Sequence, residues 1–593
     1  MTRTPLRPLA RILKARARGE NPELIEKENI RLRHEAMRDA SRGRAEGRLL
    51  VMGAFFLMAF VSVGARMGVL ASTEPAEPRA ATAGSEILAQ RSDIVDRNGR
   101  VLATNLATNS LYAQPPMIVD KEGAARALKQ IFPDLDEARM IKDFTGKRKF
   151  LWIKKKISPE QMQLVHDIGE PGLLFGPREM RLYPNGKLAA HIMGGASFGR
   201  EGVHSAEVIG TAGVEKAFDD YLRDPANDGA PLQLSLDLTI QAASEEILYG
   251  GVKIMNARGA SSVLMDIHTG EVIAMASLPT FDPNDRPAPL VKGVPADSPL
   301  FNRAVQGVYE LGSVFKIFTA AQAIKEGLVN PDTELDTKGP LVWGRFKIRD
   351  FRNYGARLSV TDVIVKSSNI GTARMAMEIG AARQQEFFKT LGFFDPTPVE
   401  LVEAPHSRPI IQKNWSEITT ITAAYGQGIA VSPLHLATAY SSLLNGGTLV
   451  QPTLLKRTQV PLGKRIVSTE ISQASREMLR QVVVRGTASL GDVPGYRVGG
   501  KTGTADKPAP TGGYSKDKVI STFASVFPVD DPKYVLIVTL DEPTETSGTE
   551  PRRTAGWTAV PIAAEMIRRV APLLGLRPKV EPARLLAVKQ ASH

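Results

Sequence analysis

Cysteine is absent from the 593-residue chain, which excludes disulfide bonds, a thiolate nucleophile and zinc sites built from thiolates. Histidine is scarce, with eight residues and no His-Glu-x-x-His pair. We therefore expect His191 and His268 to have structural roles, and we predict neither a metal ion nor a cofactor. Covalent chemistry, if there is any, must use hydroxyl, carboxylate or amine side chains.

Acidic residues are outnumbered by basic ones, and the formal net charge is +12. The basic excess lies largely before residue 49, while the rest of the chain mixes both signs. No nucleic-acid-binding motif accompanies the basic segment. The charge pattern argues against a nucleic-acid partner and favours attraction to an anionic inner membrane leaflet.

Only one long apolar run is present: residues 49–65 carry no charge, and the run continues past Arg66 to Ala71. Residues 49–71 are together long enough to span a bilayer, and Arg66 can extend its charge to the interface. Four basic residues shortly precede the run: Arg38, Arg42, Arg44 and Arg48. This predicts a single-pass anchor with a cytoplasmic N-terminus. A cleaved signal peptide is the alternative, but its charged leader is normally shorter.

The chain is too long for one ordinary hydrophobic core, so we predict several segments. They are a cytoplasmic basic tail with a short helix (1–48), the membrane anchor (49–71), a linker rich in Ala, Pro and Glu (72–88), a smaller domain (89–230), a larger domain (231–575) and a C-terminal tail (576–593).

Three short motifs stand in a fixed order in the larger domain. They are Ser313-Val314-Phe315-Lys316, Ser367-Ser368-Asn369 and Lys501-Thr502-Gly503-Thr504. Each is weak alone, because a Ser-x-x-Lys pattern arises by chance about twice in a chain of this length and composition. A second copy, Ser515 to Lys518, follows a Gly-rich stretch without apolar periodicity, and we interpret it as a solvated loop.

Ser313 differs from that second copy, because an apolar helical run follows it. A serine at a helix N-terminus is favoured for alkoxide formation, and Lys316 lies one turn further on the same face. To accept the serine proton, Lys316 must be neutral, and lowering a lysine pKa from about 10.4 to about 7 costs roughly 4–5 kcal/mol. Burial and a second cation, for which Lys501 is the candidate, would both lower the pKa.

The strand-like surroundings of Lys501 predict an inner edge strand of an antiparallel sheet. Gly503 permits close approach of another backbone, so a peptide could add to this edge. The ammonium of Lys501 with the hydroxyls of Thr502 and Thr504 would then bind a terminal carboxylate.

The order of these motifs resembles that of class B penicillin-binding proteins, most closely the division-specific peptidoglycan D,D-transpeptidase of FtsI type. The resemblance also covers the smaller domain, in which Arg91 to Gly99, Arg181 to Pro184, Ala190 to Gly194 and Gly210 to Glu215 are similar to the family's pedestal, except that Ser92 stands where the family usually has Gly.

The resemblance implies roles for single residues. Ser367 would shuttle a proton between Lys316, Lys501 and the leaving amine, and Asn369 would bind the substrate's amide backbone. The backbone N–H groups of Ser313 and Thr504 would form the oxyanion hole. The reaction would cross-link stem peptides through an acyl-serine during septal wall synthesis, and β-lactams would acylate the same serine.

The implied fold is the α/β (α+β) fold of penicillin-binding transpeptidases and serine β-lactamases. Strands near 262–276 and 519–540 build one antiparallel sheet, helices dominate between residues 302 and 445, and a helix over 557–570 closes the domain. The pedestal precedes this domain. The active site would lie between the sheet and the helical lobe.

The implied partners are peptidoglycan stem peptides, β-lactam inhibitors, other division proteins and a membrane glycosyltransferase of the SEDS class (FtsW-like), with the catalytic domain in the periplasm.

Three alternative functions remain. An elongation-type transpeptidase is the nearest, although Tyr309 to Gly312 resembles the division type. A β-lactamase would need a water-activating carboxylate, and Glu400 and Glu403 lie in no such motif. The third is a catalytically silent β-lactam-binding scaffold.

Overall fold

The computed structural model describes residues 7–72, 91–201, 206–509 and 512–579. The chain divides into two compact units, Met1–Ile87 and Leu88–His593, and each is described by itself. The predicted linker, apart from its first residue, and most of the predicted C-terminal tail lie outside the described residues.

The first unit consists of two helices, α1 (Arg7–Ala17) and α2 (Pro22–Ser72). The tail is helical, as predicted, but the helix that begins at Pro22 is not short, because α2 runs through 51 residues without interruption from the polar tail into the apolar run. No proline follows Pro22 within α2, and single glycines such as Gly43 weaken a helix without ending it. Within α2, Glu46–Met67 has the length and hydropathy to cross a membrane.

Among the described residues, the pedestal and the short segment that follows it contain seven strands and six α-helices. The strands are β1 (Ile94–Val95), β2 (Val101–Ala113), β3 (Leu151–Ile157), β4 (Leu173–Leu182), β5 (Gly195–Glu201), β6 (Ala206–Ala212) and β7 (Leu232–Gln233). The helices are α3 (Lys121–Ile131), α4 (Glu137–Thr145), α5 (Pro159–His166), α6 (Ala190–Met193), α7 (Gly213–Ala217) and α8 (Asp219–Arg223). The long strand β2 pairs with β1, β3 and β4, all antiparallel.

A buried ionic cluster joins the motifs of the pedestal. The carboxylate of Glu215 accepts hydrogen bonds from Arg91 Nε (2.8 Å) and Arg181 Nε (2.6 Å), and Arg91 also pairs with Asp219 at 2.8 Å. The side chains of Arg91, Arg181 and Glu215 are at most 3% exposed. Removing one partner of such a cluster leaves a buried charge unpaired, at a cost of about 3–5 kcal/mol. The cluster therefore fixes the pedestal's shape.

The catalytic domain adds eleven strands and nine helices. The strands are β8 (Gly259–Asp266), β9 (Val272–Leu278), β10 (Glu334–Asp336), β11 (Leu341–Trp343), β12 (Phe346–Ile348), β13 (Arg357–Ser359), β14 (Ile410–Ile411), β15 (Ile429–Ala430), β16 (Gly499–Pro508), β17 (Tyr514–Phe527) and β18 (Tyr534–Asp541). The helices are α9 (Leu238–Ile254), α10 (Lys316–Lys325), α11 (Val360–Lys366), α12 (Asn369–Ile379), α13 (Ala381–Thr390), α14 (Glu417–Ala423), α15 (Pro433–Leu444), α16 (Thr469–Arg485) and α17 (Ala559–Leu573).

The main sheet has the strand order β16-β17-β18-β8-β9, and every pairing in it is antiparallel. Every residue of β9 is buried, and since successive side chains of a strand point to opposite faces, helices must cover both faces of the sheet. Helices α9, α15, α16 and α17 pack on it. The predicted fold is confirmed: both ends of the domain supply the sheet, and the intervening segment supplies the helical lobe.

Ser515 to Lys518 was predicted to form a loop, and this is wrong. These residues begin β17, where Tyr514 pairs with Pro508 of β16. Asp517 and Lys518 are exposed, so the segment has no apolar alternation that would have indicated a strand. The register between β16 and β17 is irregular from the Pro508–Tyr514 pair to the Asp506–Val519 pair, so these four residues continue the strand between two paired positions, which the local sequence could not reveal.

Candidate active site

The Ser313 motif begins as a single 3₁₀ turn, Gly312–Phe315, and α10 follows directly from Lys316. Ser313 therefore lies one turn before the α-helix proper, a common tightening at helix starts. Val314, Phe315 and the first turns of α10 are fully buried, whereas Ser313 is only partly buried. This packing holds the turn in place and leaves the serine within reach of a ligand.

Ser367 ends α11 in a left-handed conformation, with φ 60° and ψ 44°. A non-glycine residue in this region costs about 1–2 kcal/mol. The conformation places its hydroxyl oxygen between two ammonium groups, 3.1 Å from Lys316 Nζ and 3.0 Å from Lys501 Nζ. Backbone strain at this position thus brings all three motifs together.

Lys316 is fully buried and donates two further hydrogen bonds, to the Ser367 carbonyl at 2.6 Å and to Asn369 Oδ1 at 2.7 Å. Burial is the main reason that its pKa lies well below that of an ordinary lysine; the charge of Lys501 lowers it further, and Asp350 partly opposes both effects. A neutral amine at Lys316 is therefore accessible without strongly alkaline conditions.

Lys501 is also fully buried, and burial lowers its pKa from 10.5 to about 7. Its Nζ contacts Ser367 Oγ and the carbonyl oxygen of Thr502 at 3.2 Å. The two lysines share one hydroxyl, so they titrate as a coupled pair.

Asp350 supports the second motif and was missed in the sequence. Its carboxylate accepts hydrogen bonds from the Ser368 hydroxyl (2.7 Å), from Asn369 N (2.6 Å) and from Ile370 N (3.0 Å). A carboxylate at this position satisfies the free N–H groups that begin α12. The contact joins residues 18–20 positions apart, so no local capping pattern could have shown it.

The third motif lies on β16, which pairs only with β17 among the strands described. A Cβ atom on Gly503 would lie 2.1 Å from the Leu311 carbonyl oxygen, so only glycine lets β16 pass this close to the Ser313 turn. Thr502 Oγ1 contacts Thr487 Oγ1 at 2.7 Å, and Thr504 Oγ1 accepts from Ala555 N at 3.0 Å. Thr487 was also not identified from the sequence.

The two histidines considered above bind backbone oxygens through Nε2. His191 contacts the Pro299 carbonyl at 2.8 Å, and His268 contacts the Pro532 carbonyl at 2.9 Å. Among the described ranges, no group of three or more His, Asp or Glu side chains is arranged to hold a metal ion.

Chemically, the cluster offers a partly exposed hydroxyl at Ser313, an amine with a lowered pKa at Lys316, and a hydroxyl that links this amine to a second one. Such an arrangement can activate a serine for attack on a carbonyl and can return the proton to a leaving amine.

Two family models match the chain. Residues 260–567 match the penicillin binding protein transpeptidase domain, and residues 86–227 match the penicillin-binding protein dimerisation domain. The matched ranges contain the active-site cluster and the pedestal's ionic cluster, respectively.

Similar proteins cover most of the chain. One relative, "Probable peptidoglycan D,D-transpeptidase FtsI" of Caulobacter vibrioides, is 35% identical over 93% of this chain and 93% of its own length. The peptidoglycan D,D-transpeptidase FtsI of Escherichia coli is 27% identical over 77% of this chain and 80% of its own. Among solved structures, penicillin binding protein 3 of Mycobacterium tuberculosis, complexed with aztreonam, has a TM-score of 0.63 and 26% identity, covering 83% of this chain and 97% of its own. The chain thus belongs to the class B penicillin-binding proteins, with a transpeptidase domain of the FtsI type.

Proposed function

We propose that this protein is a peptidoglycan D,D-transpeptidase that cross-links stem peptides during septal wall synthesis. The observation that carries the proposal is the pair of hydrogen bonds that Lys316 Nζ and Lys501 Nζ donate to Ser367 Oγ, which link the two amines through one hydroxyl, with Ser313 in the turn just before Lys316. Relatives that cover most of the chain are peptidoglycan D,D-transpeptidases by name.

In the proposed reaction, neutral Lys316 takes the Ser313 hydroxyl proton while Oγ attacks the penultimate D-Ala carbonyl of a stem peptide. The tetrahedral intermediate collapses, the C–N bond breaks, and the leaving D-Ala amine receives a proton through Ser367. An amine of a neighbouring stem then attacks the ester, restores the Ser313 hydroxyl and forms the cross-link. The lowered pKa values suit this shuttle, because Lys501, with a pKa of about 7, and Lys316, with a pKa well below that of an ordinary lysine, both give up a proton more readily than an exposed lysine does.

Substrate binding is assigned to β16 and α12. Lys501, Thr502 and Thr504 would hold the terminal carboxylate of the donor, with Gly503 allowing the donor backbone to approach the strand edge. Asn369 would bind the donor's amide backbone. The backbone N–H groups of Ser313 and Thr504 would stabilise the oxyanion, a contribution of about 3–4 kcal/mol per donor in other enzymes.

The protein is anchored in a membrane, and we propose that α2 spans the bacterial inner membrane once, with the basic tail in the cytoplasm and the catalytic domain in the periplasm. Basic residues before the apolar stretch support this orientation. The proposed domain limits are those derived from the sequence, 89–230 for the pedestal and 231–575 for the catalytic domain. The proposed partner is a membrane glycosyltransferase of the SEDS class, which would supply the strands to be cross-linked.

A β-lactamase function receives no support from the two candidate carboxylates. Glu400 accepts hydrogen bonds from the Thr453 hydroxyl at 2.6 Å and from Leu454 N at 2.8 Å, and Glu403 accepts from Gly213 N at 3.0 Å. These contacts bind both carboxylates to structural segments rather than to a hydrolytic water at Ser313.

The test is intact-protein mass spectrometry of the purified full-length chain after exposure to benzylpenicillin, with Ser313→Ala alongside. We expect one stable adduct on the wild type and none on the variant. No wild-type adduct would contradict the proposal, and an adduct lost within seconds would indicate a β-lactamase. A silent β-lactam-binding scaffold would also keep a stable adduct, and it is distinguished by Ser313→Ala in cells, which should destroy function only if catalysis is required. Depletion in cells distinguishes the nearest alternative, since a division enzyme yields filaments and an elongation enzyme yields rounded cells.

A further inference from the structure

A strongly basic surface borders the active-site cleft, and we call it the basic rim. It comprises Lys338, Arg345, Lys347, Arg349 and Arg352. These residues lie on and beside the β11–β12 hairpin and the loop that follows it. All five side chains are exposed.

The charge of the basic rim is not compensated within the described part of the chain. Asp350 is the only acidic residue from 337 to 356, and its carboxylate is occupied by the start of α12. Cations just outside the rim do have acidic partners: Arg357 contacts Glu334 at 3.4 Å, and Arg374 contacts Asp336 at 2.9 Å. Unpaired cations beside a cleft attract anionic ligands.

Arg349 connects the rim directly to the catalytic cluster. Its backbone carbonyl accepts a hydrogen bond from Asn369 Nδ2 at 2.9 Å, while Asn369 Oδ1 accepts from Lys316. Arg349 also lines two cavities. One, of about 440 Å³, is bounded by Lys347, Asn369 and Tyr514; the other, of about 550 Å³, is bounded by Lys338 and Arg352.

We propose that Lys347 and Arg349 bind an internal carboxylate of the donor stem peptide in the cavity beside Asn369. The inference rests on the proposed function and adds a specificity determinant to it. Asn369, which is proposed to bind the donor's amide backbone, lines the same cavity as Lys347 and Arg349, so a donor that is held at Lys501 and contacts Asn369 would bring its N-terminal part next to these two cations. Stem peptides carry free carboxylates along their length, and guanidinium groups bind carboxylates with two parallel hydrogen bonds.

The experiment measures how well a donor peptide protects Ser313 from benzylpenicillin. The probes are a stem pentapeptide ending in D-Ala-D-Ala with its internal carboxylates free, and the same peptide with those carboxylates amidated. Full-length protein in detergent is incubated with each peptide, and acylation by benzylpenicillin is followed by intact mass. Slower acylation shows that the peptide occupies the donor position, because a peptide bound only at the acceptor position would not prevent benzylpenicillin from reaching Ser313.

We expect the wild type to bind the free-carboxylate peptide about tenfold more tightly than the amidated one, the scale of one charge-assisted contact. The double variant Lys347→Gln, Arg349→Gln should reduce that ratio to below about threefold, and Arg349→Lys should restore part of it. Arg357→Gln is the matched control, since it removes one nearby exposed charge that already has a partner; it should keep the wild-type ratio.

Equal binding of both peptides by the wild type would overturn the inference. The inference would also be overturned if the double variant bound both peptides more weakly by the same factor, because the basic rim would then act only through Asn369. If Arg357→Gln lost as much of the preference for the free-carboxylate peptide as the double variant does, the preference would come from net charge, and the inference would be rejected. If neither peptide protects Ser313 and none releases D-Ala, the proposed function fails, and the inference fails with it.

Discussion

At the scale of residues, the protonation of Lys501 governs how the site responds to pH. Its pKa is about 7 because the ammonium is buried, so the positive charge is present below about pH 7 and is lost above it. Lys316, whose pKa is also lowered, must be neutral to act, and it becomes protonated on the acid side. We expect kcat/KM for Ser313 acylation to form a bell with an alkaline limb near pH 7, measured with benzylpenicillin over pH 5–9.

The variant Lys501→Arg tests this assignment, because a guanidinium stays charged over the whole range. Its activity should be lower, since the geometry differs, but its alkaline limb should disappear. An alkaline limb that stays near pH 7 in the variant would show that another group is responsible.

Ser367 combines a strained backbone with an essential hydroxyl, and two substitutions separate these properties. Both Ser367→Ala and Ser367→Gly remove the contacts to the two lysines, so acylation should fall about 10²-fold in each, as expected for loss of one proton-transfer group. Glycine also relieves the left-handed strain at φ 60°, so the glycine variant should be more stable than the alanine variant by about 1 kcal/mol.

Penicillin acylation and thermal unfolding of the two Ser367 variants provide the measurement. Equal thermal stability of the two variants would contradict the claim that the Ser367 backbone is strained. Near-normal acylation would contradict the proposed proton transfer through its hydroxyl.

At the scale of elements, the start of α12 depends on a carboxylate from a distant loop. Asp350→Ala should remove three hydrogen bonds from that helix start and destabilise the protein by about 1–2 kcal/mol. It should also slow acylation, because Asn369 is the first residue of α12. Asp350→Asn keeps one acceptor oxygen and should show an intermediate effect in thermal unfolding and acylation. Wild-type stability of Asp350→Ala would contradict the claim that this carboxylate stabilises the start of α12.

The sequence predicted those elements whose signals are local and left out those set by distant partners. Buried strands β8, β9 and β18 and helix α17 were predicted, because apolar periodicity and flanking turns define them. The polar residues Ser515 to Lys518 of β17 were misassigned, since they lie between two positions that pair with β16 and have no apolar alternation of their own. Asp350 was missed for the same reason, because its partners lie about one loop and one helix away in the chain.

The same distinction applies to the candidate site. Ser313, Lys316 and Lys501 were chosen by residue type, spacing and resemblance, and the structure brings the two lysines together at the Ser367 hydroxyl, with Ser313 in the turn just before Lys316. The left-handed backbone of Ser367 and the contact of Thr502 with Thr487 had no sequence signal, because both depend on how separate elements pack.

At the scale of the whole molecule, the active site is contained in the second unit, Leu88–His593. Every contact described for Ser367, Asn369 and β16 is made by residues of that unit. A fragment that begins at residue 88 should therefore be acylated by benzylpenicillin within about twofold of the full-length rate, measured by stopped reactions and intact mass. A much slower fragment would show that the membrane-spanning unit activates the site.

The main sheet joins strands that are far apart in the chain: Gly259 of β8 pairs with Asp541 of β18. Closing so long a loop is slow, and the two sides of the sheet cannot meet before β18 has been synthesised. Until then, the fully buried residues of β8 and β9 have no β18 beside them, and an unpaired apolar strand edge is prone to aggregation. With the catalytic domain exported, as proposed above, folding would be completed only after nearly the whole polypeptide has crossed the membrane, and the early strands would depend on protection during translocation.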